Sequence, residues 1–343
     1  MRKIIQSYKS GQIEFIERPV PVCKAGGVLI LTSRSLISVG TEKSMIEMGK
    51  KSLLGKAQAR PDLVRRLIDK GKKEGFTNVF KEAMNRLDEP VALGYSNSGV
   101  VLETGTGSFK VGERVACAGA EYANHSEFCW IPENLCSRIP EKVSDEDASF
   151  VMVGSIALEG IRCADLSFGE NVVVVGLGLL GLLTVQMLKA YGCKVTGVDI
   201  RKEKTELARR LGADIGLIVG EDDIESMVLD STGGIGADAV IITASGKDNS
   251  TVLMAEKISR KRGRIILVGV ADIKLTRSVF WEKELIFRVS KAAGPGSIDP
   301  EYEKFGHDYP IEHVRWTEKR NMIQFLDLIA AGKINTRDLI THR

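Results

Sequence analysis

The run Val172-Val173-Val174-Val175-Gly176-Leu177-Gly178-Leu179-Leu180-Gly181 constrains this chain more than any other stretch. Four successive valines suit a strand buried on both faces, and LLTVQMLKAYG after the last glycine reads as an amphipathic helix. The glycines between them have separate roles. Gly176 permits the tight turn, Gly178 lets the backbone approach a pyrophosphate, and Gly181 lets helix and strand pack closely. Leu179 and Leu180 complete the turn, and the helix N-terminus attracts phosphate. The next apolar run, KVTGVDI, ends in Asp199, 18 residues after Gly181, where a carboxylate accepts hydrogen bonds from ribose hydroxyls. A dinucleotide site is therefore expected. The same carboxylate repels the extra phosphate of NADP, so NAD is favoured over NADP. Arg201 offers that phosphate a partner if Asp199 turns away, or else is a solvated arginine; Lys204 either reaches the ribose or is a solvated helix lysine.

Two domains are expected from 343 residues, because one hydrophobic core rarely grows beyond roughly 250. The net charge of +3 and 43% hydrophobic content disfavour a disordered, collagenous or generally cationic nucleic-acid-binding chain. Val172 to Leu188, the most apolar stretch, falls short of the roughly 20 residues a membrane span needs and is interrupted by glycines. MRKIIQSYK lacks the apolar segment and cleavage site of a signal peptide, so a cytoplasmic location is expected. Six scattered cysteines form no CxxC pair and read as free, mostly buried thiols, and no two of the four histidines have metal-ligand spacing.

Texture divides the chain. The first forty residues read as β-structure, with KIIQSY and IEFIERPV flanking a Lys-Ser-Gly turn and Gly26-Gly27 leading into VLILTSRSLI. Residues 49–88 read as a helical insert. After Pro90, SGVVLETG, GERVACAG and SEFCWIP restore β-character and complete an antiparallel barrel-like module. Between Gly169 and Ser290, VVVVG, KVTGVDI, IGLIVG, ADAVIITASG, RIILVG and ELIFRVS read as strands of a parallel sheet. KEKTELARRLG and NSTVLMAEKISRKRG read as helices, each closed by a glycine. Lys43 to Arg86 holds 12 Lys or Arg against 5 Asp or Glu, a local +7. That face suits anionic sugar nucleotides, phosphates or nucleic acid, or is simply solvated; the lack of an aromatic platform argues against single-strand binding.

SVGTEKSM, LGYSNSGVVLETG, VGERVACAG, the strand–GLGLLG–helix unit, VDIRKEK, LARRLGAD, GGIGADAVIITASG and GRIILVG together resemble the medium-chain dehydrogenase/reductase family over essentially the whole chain. The resemblance implies a GroES-like antiparallel barrel domain over 1–155 and a Rossmann doubly wound domain over 156–292. It also implies a return segment, 293–343, packed on the first domain. The tail from AAGPGSIDPEYEKF to DLITHR resembles a narrower group, in which a zinc-lacking module is often joined to a second domain like the Gfo/Idh/MocA oxidoreductases and associated with surface polysaccharide synthesis. Relatives continue beyond Thr341-His342-Arg343, so a truncated module is expected. Family habit implies a homodimer through the Rossmann sheet edge.

Departures from the family pattern bear on the chemistry. Zinc-dependent relatives carry a Cys-Gly-Thr-Asp type motif, and the matching segment here is Val39-Gly40-Thr41-Glu42. Their Gly-His-Glu motif becomes Gly94-Tyr95-Ser96, FVMVGSIA holds no third ligand, and the four-cysteine structural lobe is absent. Valine cannot coordinate and one tyrosine is not a tetrahedral site, so no zinc is expected. A phenol is protonated at neutral pH and can donate to a carbonyl as hydride arrives. Tyr95 is the candidate acid, Thr41 matches the family's relay hydroxyl, and Glu42 or Lys43 tunes them; alternatively Tyr95 only fills a vacated cavity. Ser155, the strand end Thr243-Ala244-Ser245 and the strand end Val268-Gly269-Val270 fall where the nicotinamide is expected. His125 reads as structural or as a proton carrier, and Tyr309, Arg315 and Trp316 as packing or a substrate surface. The leading expectation is a zinc-independent, NAD-linked oxidoreductase acting on a secondary alcohol or carbonyl, including sugar or nucleotide-sugar derivatives. The alternatives are an inactive NAD-binding module and an NAD(P)H enoyl or quinone reductase.

Overall fold

The computed structural model describes residues 1–7, 10–51, 90–246 and 248–343, with residues 55, 58, 65, 68, 69, 72 and 75 between them. The predicted helical insert and its basic face lie outside the described residues, apart from residues 49–51 and those isolated positions. The N-terminal half is antiparallel. A three-stranded sheet has order β2 (Ile13–Glu17), β1 (Arg2–Gln6), β4 (Val91–Ala92). A five-stranded sheet has order β7 (Phe128–Pro132), β3 (Gly27–Ser35), β5 (Ser96–Thr104), β6 (Arg114–Ala118), β8 (Cys136–Arg138). Between β3 and β4 runs α1 (Val39–Lys50), and after β8 come α2 (Asp145–Ala148), capped by the Ser144 hydroxyl, and α3 (Val151–Cys163). The expected β-segments are all present, and their side chains alternate between the core and the surface less cleanly than a flat sheet requires, as suits a closed half-barrel.

Six parallel strands form the second sheet: β9 (Asn171–Val175), β10 (Lys194–Asp199), β11 (Ile215–Ile218), β12 (Ala237–Ile242), β13 (Ser259–Leu267) and β14 (Ile286–Val289). Their spatial order is β11-β10-β9-β12-β13-β14, the doubly wound order whose direction reverses between β9 and β12. The connecting helices are α4 (Leu179–Tyr191), α5 (Lys202–Arg210), α6 (Ile224–Ser231), α7 (Ser250–Ile258) and α8 (Arg277–Lys283). The four valines of β9 are buried because helices cover both faces of the sheet. One helix reading is corrected. NSTVLMAEKISRKRG is not helical to its glycine: α7 ends at Ile258, and Ser259 to Gly263 already belong to β13. Arg260 is drawn alongside β12 by its 2.5 Å bond to Asp238, and the register slips by a bulge there, a pairing invisible to local periodicity.

The return segment contains α9 (Pro300–Glu303) and α10 (Glu318–Ala330). Phe325 of α10 lies against α3 at Gly154, where a Cβ would fall 2.3 Å from the ring. Asn134 donates to the Tyr302 carbonyl at 2.9 Å and Lys319 to the Glu133 carbonyl at 3.0 Å, fixing the segment to the first sheet. It also reaches the second half, because Asn335 N–H donates to the Gln186 side chain of α4 at 2.6 Å. Trp316 is held between the guanidinium groups of Arg162 and Arg315, and Tyr309 stacks on Tyr302, so these tail aromatics pack. Helix α3 runs through position 155, so the expected boundary between 155 and 156 falls inside a continuous helix. Among the described residues no helix is long and apolar enough to cross a membrane.

Glu318 opens α10 wholly buried, facing the Ser297 hydroxyl and the Glu303 carboxyl. Burial, reinforced by the neighbouring Glu303 charge, pushes its carboxyl up to about 8. An unfolded glutamate releases its proton near 4.5. The unfolded chain therefore ionises first, and stability falls as pH rises from that value through about 8, while below it nothing is lost. Glu318→Gln is expected to raise Tm by roughly 3 °C or more at alkaline pH and to leave it unchanged in acid, as read by thermal melts. Equal melting at alkaline pH would contradict the assignment.

Candidate functional site

The turn after β9 is set by two close approaches. Gly176 adopts φ +94°, which L side chains rarely adopt, and its N–H donates to the Val198 carbonyl at 2.8 Å. A Cβ on Gly181 would sit 1.9 Å from the Gly176 carbonyl oxygen, so only glycine lets α4 start this close to the strand. Thr243 Oγ1 donates to the same oxygen at 2.5 Å and braces the turn from β12. Ala244 abuts Gly176, and a Cβ on Gly269 would fall 2.0 Å from the Ala244 carbonyl, which stacks the ends of β9, β12 and β13 together. Gly178 differs. It is exposed, caps α4 without a side-chain bond, and has no atom within 4 Å of the position a Cβ would take. The free amides of α4 therefore face open space, the arrangement that receives a pyrophosphate.

Leu179 and Leu180 form the half-buried first turn of α4. Ser245 and Val270 are exposed beyond the strand ends, with Val268 and Gly269 partly covered. Ser155 stands apart: it is fully buried in α3, and its hydroxyl donates to the Val151 carbonyl at 2.7 Å. Asp199 ends β10 with both carboxylate oxygens oriented by amides, Oδ2 by Leu177 N–H at 2.7 Å and Oδ1 by Arg201 N–H at 3.0 Å. The Arg201 guanidinium lies between two carboxylates, 3.9 Å from Asp199 and 3.6 Å from Glu203. Lys204 is half-buried in the first turn of α5. The Asp199 carboxylate is thus oriented by the backbone.

The second cluster surrounds Tyr95, between β4 and β5. Its phenol is 8% exposed and donates to Thr41 Oγ1 at 3.4 Å. Burial pushes the phenol above its ordinary range; hydrogen bonding with the Ser38 and Thr41 side chains pulls the other way, and the nearby Glu42 charge adds to the rise. The proton thus stays on Tyr95 at neutral pH. Glu42 faces inward from α1: Oε1 accepts Ser38 N–H at 2.9 Å, and Oε2 lies 3.0 Å from His125 Nε2. Lys43 turns outward along α1 to 3.9 Å from Glu47 and does not join the cluster. His125 and Ser38 belong to it although neither stood out as tuning residues in the sequence. No motif links His125 to Glu42, because the two lie 83 positions apart.

The positions matching the zinc ligands of relatives do not fit a metal. Val39 is a 69% exposed hydrocarbon, Tyr95 is a buried phenol bonded to Thr41, and Val151 to Ala157 form an apolar helix. Among the described residues no three His, Cys, Asp or Glu side chains are grouped as a metal would need. All six cysteines are free.

Residues 180–299 match the family model described as zinc-binding dehydrogenase. The chain is 26% identical over 289 residues to a probable D-xylulose reductase A of Neosartorya fischeri, covering 74% of each. Galactitol-1-phosphate dehydrogenase from Escherichia coli superposes with TM-score 0.75 at 19% identity, over 100% of this chain and 92% of that one. An Escherichia coli alcohol dehydrogenase determined with NADH gives TM-score 0.73 at 21% identity, over 100% of this chain and 91% of the other. These likenesses show the fold, a GroES-like antiparallel half-barrel joined to a Rossmann sheet.

The glycine turn yields a test that separates binding from folding. Gly178→Ala meets no neighbouring atom and is expected to keep the wild-type Tm, while its methyl group occupies the pyrophosphate path and weakens NADH binding by roughly tenfold or more. Fluorescence titration with NADH checks this, and unchanged affinity would refute the placement.

Proposed function

We propose that this chain, for which the matches support the medium-chain zinc-binding dehydrogenase family and an NAD(P)-dependent oxidoreductase, moves hydride between NAD(H) and a secondary alcohol or ketone of sugar or polyol type, without zinc. The observation that carries the reading is the open glycine turn beside an amide-held Asp199. A ribose with free hydroxyls suits that carboxylate, whereas a 2'-phosphate meets its negative charge at short range. Bound nicotinamide supplies or receives the hydride. Gly176, Gly178, Gly181 and the α4 amides hold the pyrophosphate, Asp199 and Lys204 the adenosine ribose, and the ends of β12 and β13 support the far half. Xylulose and galactitol-1-phosphate, named for the relatives, support a polyol or ketose substrate.

Tyr95 carries the proton. With its phenol held above the ordinary range, it donates to the carbonyl oxygen as hydride reaches carbon, and Thr41, in hydrogen-bond contact, orients that phenol toward the cleft. In the reverse direction the tyrosinate has to accept the alcohol proton, so reduction is favoured near neutrality and alcohol oxidation improves as pH rises. Exposed Ile286 and Val289 on the edge strand β14, with exposed Trp281 beside it, support a homodimer through that edge. A cytoplasmic location and a joined second oxidoreductase domain complete the reading.

Tyr95→Phe is expected to cut ketose reduction by roughly tenfold or more with NADH binding retained, measured by absorbance at the coenzyme band. Wild-type turnover in that variant would remove Tyr95 from the chemistry. Asp199→Ser is expected to bring NADPH affinity up to or past that of NADH in parallel titrations; an undiminished NADH preference would show that Asp199 does not set it.

A further inference from the structure

We propose that His125 is a positioning residue for the Tyr95 phenol, acting through Glu42 to hold the first turn of α1 so that the Ser38 and Thr41 hydroxyls stay against that phenol. The inference rests on the reading of Tyr95 as the proton donor, but its geometry is independent of any substrate. His125 joins three segments around the phenol. Its Nδ1 lies 2.9 Å from Ser35 Oγ at the end of β3, and its Nε2 lies 3.0 Å from Glu42 Oε2 in α1. Its backbone N–H donates to the Leu93 carbonyl at 2.8 Å, two residues before Tyr95.

The ring also fills the space under the residue preceding Tyr95. Gly94 has φ +90°, and a Cβ there would fall 2.8 Å from the imidazole, so the histidine and the glycine require one another. The second carboxylate oxygen of Glu42 accepts Ser38 N–H, the amide of the residue that caps α1. His125, Glu42, Ser38 and Thr41 therefore form one continuous support ending at Tyr95 Oη. Both members of the pair are buried, with side chains 6% exposed, so losing one leaves a carboxylate or ring nitrogen of the other unmatched away from water.

The test needs no substrate. Six tyrosines make a resolvable set for carbon-13 labelling at the ring Cζ, and Tyr95→Phe identifies the Tyr95 signal. His125→Leu is expected to displace that signal and raise its titration midpoint by about half a pH unit or more, because the first turn of α1 loosens and the phenol loses its hydroxyl partners. His125→Gln, whose amide still donates to Glu42, is expected to restore most of the wild-type midpoint. If leucine prevents folding, His125→Asn, whose shorter amide cannot span to Glu42, decides: a raised midpoint supports the inference, whereas an unchanged midpoint overturns it. A folded His125→Leu protein with a wild-type Tyr95 signal overturns it as well. The turnover of Tyr95→Phe remains a separate readout. Loss of turnover there with no effect of His125 on the signal defeats only this inference, and full turnover there defeats the underlying reading.

Discussion

The contact between the Gly181 position and the Gly176 carbonyl, too short for any side chain, governs the geometry of this molecule. It brings α4 onto the end of β9 and points its free amides outward over Gly178. Thr243 and Ala244 close on the same turn, and Gly269 closes on Ala244, so three adjacent strand ends converge at the point where strand order reverses. Open sheets of this type receive ligands at that point. A methyl group at Gly181 or Gly269 would separate these elements before it affected any ligand.

Charge is distributed differently at the two clusters. At the sheet, the Asp199 carboxylate is held by two backbone amides. At the barrel, a buried phenol retains its proton because burial and the Glu42 carboxylate outweigh the two hydroxyls bonded to it. The first feature depends on backbone geometry and tolerates changes in surrounding side chains. The second depends on the joining of α1, β3 and the segment before Tyr95, and so on side-chain contacts distant in sequence.

That difference explains how much could be read from the sequence. The parallel sheet was legible because each strand carries its own apolar run, and the dinucleotide turn because glycine spacing reports backbone geometry directly. Tyr95, Thr41 and Glu42 were found by resemblance, and the structure brings them together, whereas Lys43 lies on the outer side of the same helix turn. Helix α1 itself has little apolar face to announce it, with Val39 exposed and Glu42 buried, the reverse of the usual pattern. Its orientation depends on His125, which no local signal connects to it. The Ser259 to Gly263 stretch misled for a related reason: a charged run following a helix joins the sheet through an ion pair with Asp238 on a neighbouring strand. Ser155 illustrates the limit of resemblance, since its place in the family pattern gave no hint that its hydroxyl bonds within its own helix.

We propose that the glycine turn and Asp199 together select an NAD-type dinucleotide. Calorimetric titration of the unmodified chain with NADH and, separately, NADPH tests it most directly. One NADH per chain is expected, with an affinity for NADPH weaker by about tenfold or more. Absence of heat with both coenzymes, or equal affinity for the two, would contradict it.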